Sequence, residues 1–285
     1  MKRGDFRFHE RLRVRWAEVD MQQIVFNGHY LLYFDTAVAG YWRAMALPTQ
    51  ETMRQLGGDM FVRKATVEYL ASARMDEQLA VGVRCDRIGN SSMSFVCAVF
   101  RGEQCLVHGE LVYVFADPAT QTSRPVPPAL RTVLEGFEAG EPMVELRVGR
   151  WADLGEAAQR IRQQVFVDEQ HIAAGLQHDA ADADCLHALA INRMGLPLAT
   201  GRLQQLGGGV ARIGRMAVLP VVRGSGVGRQ VLEALAAEAR SRGDQELLLQ
   251  AQMSAVGFYS RAGFATRGPV FEEAGIPHVE MARAP

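Results

Sequence analysis

Residues 30–43 carry, among other apolar positions, Tyr30, Leu31, Leu32, Phe34, Ala37, Val38, Tyr41 and Trp42. They recur three and four residues apart, and that spacing predicts a helix. So much of its circumference is apolar that it is expected to be buried and not to lie on a surface. Upstream, residues 11–16 alternate basic and apolar side chains, as a half-exposed strand does. Downstream, 61–70, 78–88, 92–101 and 104–115 read as strands, with turns at Arg87-Ile88-Gly89-Asn90 and Arg101-Gly102-Glu103. One buried helix followed by a long meander fits an antiparallel sheet wrapped round a helix.

The pattern changes after residue 143. Residues 144–148 read as a strand, and 154–170 as a helix with Ala157, Ile161, Val165 and Phe166 on one face. Strands follow at 185–192, 199–206 and 210–219. A glycine-rich junction, Arg223-Gly224-Ser225-Gly226-Val227-Gly228, opens a helix reaching about 242. A strand at 246–251 and a short helix at 254–262 complete a mixed α/β pattern. The seam between the halves carries Asp117-Pro118, Pro125-Val126-Pro127-Pro128, a short helical stretch at 129–137, and Gly140-Glu141-Pro142. Prolines remove donors and punctuate regular structure, so the seam reads as a linker. The expected organisation is a two-domain α+β chain: a domain over 1–117, a linker with a short helix over 118–142, and a domain over 143–285. A length of 285 residues suits two domains.

Composition narrows the function classes. A net charge of -1 removes the electrostatic argument for nucleic acid or anionic membranes as partners. No apolar run approaches the ~20 residues that span a bilayer, and the N-terminus lacks the apolar core of a signal peptide. The four cysteines, Cys85, Cys97, Cys105 and Cys185, show no CxxC spacing. Free thiols in a reducing cytoplasm fit them better than disulfides. No cluster of four zinc ligands is visible, so no metal is expected.

The first stretch carrying chemistry is Arg15-Trp16-Ala17-Glu18-Val19-Asp20, followed by Ile24-Val25-Phe26-Asn27-Gly28-His29-Tyr30. It places an acidic residue in a loop ahead of a helix start. Free N–H groups there can polarise a carbonyl, and a carboxylate beside them can act as base or nucleophile toward it. Aspartate is equally favoured as a helix cap, so position alone leaves both roles open. The stretch resembles the hotdog-fold acyl-CoA thioesterases of the 4-hydroxybenzoyl-CoA thioesterase class, over residues 8 to about 117. The resemblance implies Asp20 as the catalytic carboxylate and a thioester site at Asn27, Gly28 and His29. There the backbone N–H near Asn27 would polarise the carbonyl. It also implies a homo-oligomer, dimer or tetramer, with the cleft between subunits. The sequence departs from the family at Gln23, where Gly is common, and at Asn27, where Tyr or His often stands. These departures motivate an alternative, an acyl-CoA sensor with an inactive hotdog domain. His108 is expected to be structural.

The second stretch is the glycine-rich junction. Glycines let backbone approach a ligand, and consecutive N–H groups at a helix start bind phosphate oxygens. It lacks the Gly-Lys-Ser/Thr of a P-loop and does not follow a first strand as a dinucleotide fingerprint does. Arg223, Gly226 and Gly228 are spaced as in the acetyl-CoA loop of the GNAT N-acetyltransferases. Residues 251–264, with Gly257-Phe258-Tyr259 and Gly263-Phe264, resemble the closing motif of that superfamily. The match runs over 143–285 and is similar to a small bacterial branch carrying Glu273-Ala274-Gly275-Ile276-Pro277-His278. It implies acetyl-CoA or acyl-CoA as substrate, with main-chain amides at Arg223, Gly224, Ser225, Gly226, Val227, Gly228 and Arg229 on the pyrophosphate. Met216, Ala217 and Val218 would pair with the pantetheine arm. Tyr259 would protonate the departing thiolate, and an amine would be the acceptor. No single general base stands out among Glu169, His178, Asp179, Asp182, Asp184 and His187. The 178–184 run reads first as a solvated acidic loop. His278 is a further candidate for lining the acceptor cleft.

Overall fold

The computed structural model describes all 285 residues, and they form two compact units, Met1–Met143 and Val144–Pro285. In the first unit the strands are β1 (Phe8–Arg13), β2 (Asp59–Tyr69), β3 (Gln78–Ile88), β4 (Ser92–Arg101) and β5 (Gln104–Ala116). They form one antiparallel sheet in the order β1-β3-β4-β5-β2. Helix α1 (His29–Ala44) packs against β1, β3 and β4. Its buried stripe, Tyr30, Tyr33, Phe34, Ala37, Val38, Tyr41 and Trp42, is the three-and-four spacing seen in the sequence. Gly109 on β5 shows how tight the wrap is. A Cβ there would lie 2.1 Å from the Thr66 carbonyl oxygen and 2.9 Å from the Phe34 ring, so no side chain fits between β2, β5 and α1.

Two features differ from the expectation. Helix α1 is not buried all round: Leu31 and Leu32 are 40% and 46% exposed on its outer face. A short helix, α2 (Thr49–Leu56), precedes β2 and was not visible as an apolar period. In the seam, helix α3 (Pro128–Glu138) buries Leu130, Val133, Leu134 and Phe137. Phe137 meets Tyr41 edge-on at 5.0 Å, and the Glu138 carboxylate accepts from the Tyr41 hydroxyl at 2.5 Å and the Cys85 amide at 2.8 Å. The α3 stretch is therefore packed into the first unit.

The second unit holds a seven-stranded sheet in the order β11-β12-β10-β9-β8-β7-β6. Its strands are β6 (Val144–Arg150), β7 (Leu186–Asn192), β8 (Pro197–Gly207), β9 (Val210–Val218), β10 (Glu246–Gln252), β11 (Ala265–Glu273) and β12 (Ile276–Arg283). The C-terminal hairpin β11–β12 lay outside the elements read from sequence. Helix α4 (Trp151–Arg162) continues into a π-helical turn over Gln163–Glu169. It covers one face of the sheet through Leu154, Ile161 and Val165 against Leu189, Ile191 and Ala217. Helix α5 (Val227–Ser241) covers the other, pressed onto Gly201, where a Cβ would come within 2.8 Å of Leu235. Covered on both faces, β7 and β8 are buried without alternation over His187–Asn192 and Leu198–Leu203. Helix α6 (Val256–Arg261) follows β10.

Only β9 and β10 run parallel, and they pair over just three positions, Val210–Arg212 against Glu246–Leu248. Beyond that they part. A bulge between Arg202 and Thr200 in the β8–β9 ladder, with Arg215 at φ 52°, bends β9 away. The edge of β9 that faces β10 is thus unpaired from Ile213 to Val218.

Candidate active sites

In the first unit the chain from 18 to 26 folds back on itself. The Phe26 amide donates to the Glu18 carbonyl and the Asp20 amide to the Ile24 carbonyl, each at 2.9 Å. Asp20 therefore sits beside the chain that enters α1. Its Oδ1 accepts from the Gln22 amide at 2.8 Å, and its carbonyl accepts from Gln23. Gln23 stands at φ 60°, so the loop keeps a left-handed residue even without glycine. The amides of Asn27 and Gly28 find no acceptor within the chain, while the Asn27 carbonyl accepts from the Tyr69 hydroxyl at 3.1 Å. His29 packs on Phe26, and its Nδ1 is buried without a partner. His108 lies in β5, 3.5 Å from Glu68, away from this loop.

Sequence reading passed over Glu18. It is buried, and its carboxylate accepts from the Arg15 amide at 2.8 Å, Arg15 Nε at 2.7 Å and the Tyr33 hydroxyl at 2.7 Å. Burial works to raise its pKa, but these donors outweigh it and hold the carboxyl below the usual range. Glu18 fastens the Asp20 loop to the first turns of α1. Its position two residues before Asp20 was the only signal in the sequence, and nothing there marked it as buried.

In the second unit the chain leaves β9, turns through Pro220–Val222 and enters the glycine-rich loop. Gly224 and Gly226 stand at φ 83° and 88°, and Gly226 caps α5. A side chain at Gly226 would be strained whatever the space around it. The amides of Gly224, Gly226, Val227, Gly228 and Arg229 have no acceptor in the chain. The amides of Arg223 and Ser225 turn inward, to the carbonyls of Pro220 and Val222 at 3.2 and 3.3 Å. The pyrophosphate cradle expected over 223–229 therefore offers five open donors, and Arg223 and Ser225 are not among them. The fifteen-residue helix behind them adds its positive end. Met216, Ala217 and Val218 lie on the parted edge of β9. The Val218 carbonyl already accepts from Arg223 Nε at 3.1 Å.

A cavity of about 570 Å³ opens where β9 and β10 part. Arg212, Arg215 and Met216 line it from β9, Gln250 and Gln252 from β10, and Tyr259 and His278 close it. Tyr259 packs on Phe258 at 4.9 Å, and burial pushes its phenol up to about 12. It stays protonated through neutral pH. His278 sits opposite Gln252 in the β10–β12 ladder and stacks on Phe271 at 6.0 Å. Its Nδ1 lies 2.7 Å from the Ile276 carbonyl, which can only accept, so Nδ1 carries the proton and Nε2 is the free nitrogen.

The acidic run at 178–184 is not a solvated loop. Asp182 is buried and pairs with Arg162 at 3.0 Å and Arg202 at 3.0 Å. Asp179 pairs with Arg202 at 2.6 Å and Arg215 at 2.9 Å, and the Arg202 hydrogen bond leads in lowering its pKa to about 2. His187, its pKa lowered by burial, bridges Arg162 and the Asp182 carbonyl. Glu169 receives both Nη groups of Arg223 at 2.6 Å. Carboxylates so neutralised are poor bases, and His178 and Asp184 are exposed and line no part of the cavity.

Comparison with known proteins assigns the two halves separately. The profile of the acetyltransferase (GNAT) domain matches residues 155–284, and that of the thioesterase superfamily matches 22–108. The uncharacterized protein YyaT of Bacillus subtilis is 33% identical over 140 residues, which are 48% of this chain and 93% of YyaT. The uncharacterized N-acetyltransferase YjcF of the same organism is 32% identical over 42% of this chain and 86% of its own length. The acyl-CoA thioester hydrolase YbgC of Escherichia coli is 26% identical over 42% of this chain and 89% of its own length. With a hotdog sheet at one end and a parted mixed sheet at the other, the chain belongs to the GNAT acetyltransferases through its C-terminal half, carries a thioesterase-superfamily domain in its N-terminal half, and is a bifunctional CoA-ester enzyme.

Proposed function

We propose that the N-terminal half hydrolyses acyl-CoA thioesters with Asp20 as base, and that the C-terminal half moves an acetyl group from CoA to an amine. The observation that carries the second role is the row of open main-chain donors at Gly226–Arg229 beside the parted edge of β9. The donors suit the diphosphate, and the edge of β9 suits the amide-bearing pantetheine arm. The amine nitrogen attacks the acetyl carbon, the C–N bond forms and the C–S bond breaks. The ammonium proton goes to His278 Nε2 and the thiolate takes the Tyr259 proton, so charge balances. In the N-terminal half, Asp20 takes a proton from water as it adds to the thioester carbonyl, while the Asn27 and Gly28 amides hold the developing oxyanion; as that oxyanion collapses, the C–S bond breaks and the departing CoA thiolate takes the proton back from Asp20.

Incubating the protein with acetyl-CoA and a panel of amines, with CoA release read by a thiol reagent, tests the transferase. Tyr259→Phe and His278→Asn should each lower amine-dependent kcat by about 10²-fold with little change in acetyl-CoA KM. Equal amine-dependent release by wild type and both variants would refute these roles.

The first unit offers its own reason to associate. β2 is an eleven-residue strand at the sheet edge, and Val62, Tyr69 and Leu70 are exposed on or beside it. Tyr69 touches Tyr30 and the Asn27 carbonyl, so this edge runs to the thioester site. Phe26, Leu31 and Leu32 extend the apolar surface. An open edge beside apolar surface favours pairing with a second copy. Sedimentation should show a dimer or larger. A monomer at micromolar concentration would overturn it.

A further inference from the structure

The cavity between β9 and β10 is more cationic than a site for simple amines needs to be. Its charged lining is Asp179, Arg202, Arg212, Arg215 and Glu273. Asp179 and Asp182 are consumed by the buried network of Arg162, Arg202 and Arg215, in which three guanidinium groups meet two carboxylates and a neutral His187. That network keeps one positive charge in excess. Arg215 also retains a buried Nε without an acceptor. Arg212 stands apart from the network. It is half-buried where β9 and β10 last pair, opposite Leu248, with Gln204 across the β8 ladder, and it makes no ion pair. Of the lining carboxylates only the exposed Glu273 on the β11–β12 hairpin is uncommitted.

Two guanidinium side chains, Arg212 without an ion pair and Arg215 tied to Asp179 in a network with positive charge to spare, thus line a cavity that also holds Tyr259 and the free nitrogen of His278. An ammonium ion alone would meet repulsion there, whereas an anionic group would supply the missing counter-charge and a planar acceptor for Arg212. We propose that the acceptor is an amine that also carries an anionic group, bound by Arg212 with help from Arg215, so that its amino end is presented to His278. This rests on the transferase reading of the same cavity. The negative group could be a carboxylate, as in an amino acid, or a phosphate, as in a phosphorylated amino alcohol.

Calorimetry on the full chain saturated with CoA separates these cases. Matched pairs differ only in the anion: lysine and cadaverine, phenylalanine and phenethylamine, O-phosphoethanolamine and ethanolamine. At least one anionic member should bind ten-fold or more tighter than its partner lacking the anion, and the pair that shows it identifies carboxylate or phosphate. Arg212→Gln should erase that preference without changing affinity for the partner amine. The proposal is overturned if no anionic member binds tighter, whether both bind alike or neither binds, or if Arg212→Gln leaves the preference intact. A separate titration with CoA alone reads the underlying transferase assignment: failure there would sink that reading, whereas normal CoA binding with no anion preference sinks only this one.

Discussion

Asp20→Asn is expected to lower acyl-CoA hydrolysis by about 10³-fold while leaving amine-dependent acetylation unchanged. Asparagine keeps the acceptor for the Gln22 amide, so the loop retains its shape and only the charge and basicity are lost. Loss of a positioned base costs about 10²–10⁴ in rate, and the open amides of Asn27 and Gly28 would preserve the remainder. The measurement is CoA release from acyl-CoAs without amine, compared with release when amine is added. Hydrolysis within threefold of wild type would remove Asp20 from the chemistry, whereas saturable acyl-CoA binding with no hydrolysis by wild type would favour the acyl-CoA sensor. The matching loss in Glu18→Gln should be smaller and accompanied by lower stability, because Glu18 touches Arg15 and Tyr33 and not the reacting atoms.

The largest effect on stability is expected at Asp182. Asp182→Ala would leave Arg162, fully buried and already holding an unpartnered Nε, without its counter-ion. Breaking a buried pair in this way costs about 3–5 kcal/mol. Urea unfolding should show that loss in the transition of the C-terminal unit alone. A loss under about 1 kcal/mol would mean that water or another anion reaches Arg162. The pH dependence follows the same residue. Burial opposes ionisation of Asp182, but Arg162 and neighbouring donors outweigh it and lower its pKa. A group whose folded pKa is depressed stabilises above its unfolded value, near 4, and that stability drains away as pH falls below it. Asp179, at about 2, extends the loss downward, discounted because its side chain is partly exposed. Wild type should therefore lose stability from pH 4 toward pH 2, and Asp182→Ala should lose less over the same range.

Much of this was legible in the sequence because it rests on periodicity. The helix at 29–44 and the meander at 78–116 each carry a clean apolar period. The glycines at 224 and 226 were readable for a related reason: only a backbone with φ near 85° needs them in that order. What escaped was set by partners distant in the chain. Asp179 and Asp182 look like solvent-facing acids until α4 and β8 bring Arg162 and Arg202 beneath them. The hairpin β11–β12 is flanked by exposed charges, and the register against β10 that gives His278 its place is a non-local pairing no local pattern records. Phe137 and Leu134 sat between prolines that signal a break, and only contact with Tyr41 shows the stretch as core.

The wide turn over Gln163–Glu169 has a geometric consequence. A π-helical turn holds one residue more than an α-helix would over the same rise, and each residue of an α-helix advances the azimuth by about 100°. That surplus lets Arg162 point into the sheet while Glu169, seven positions on, reaches outward to grip Arg223 at the mouth of the glycine loop. Were the same residues wound as an ordinary α-helix, the rotation between Arg162 and Glu169 would change by about 100° and swing Glu169 about a quarter-circle off its target. The anchorage of the glycine loop thus hangs on the winding of a segment that lies outside it.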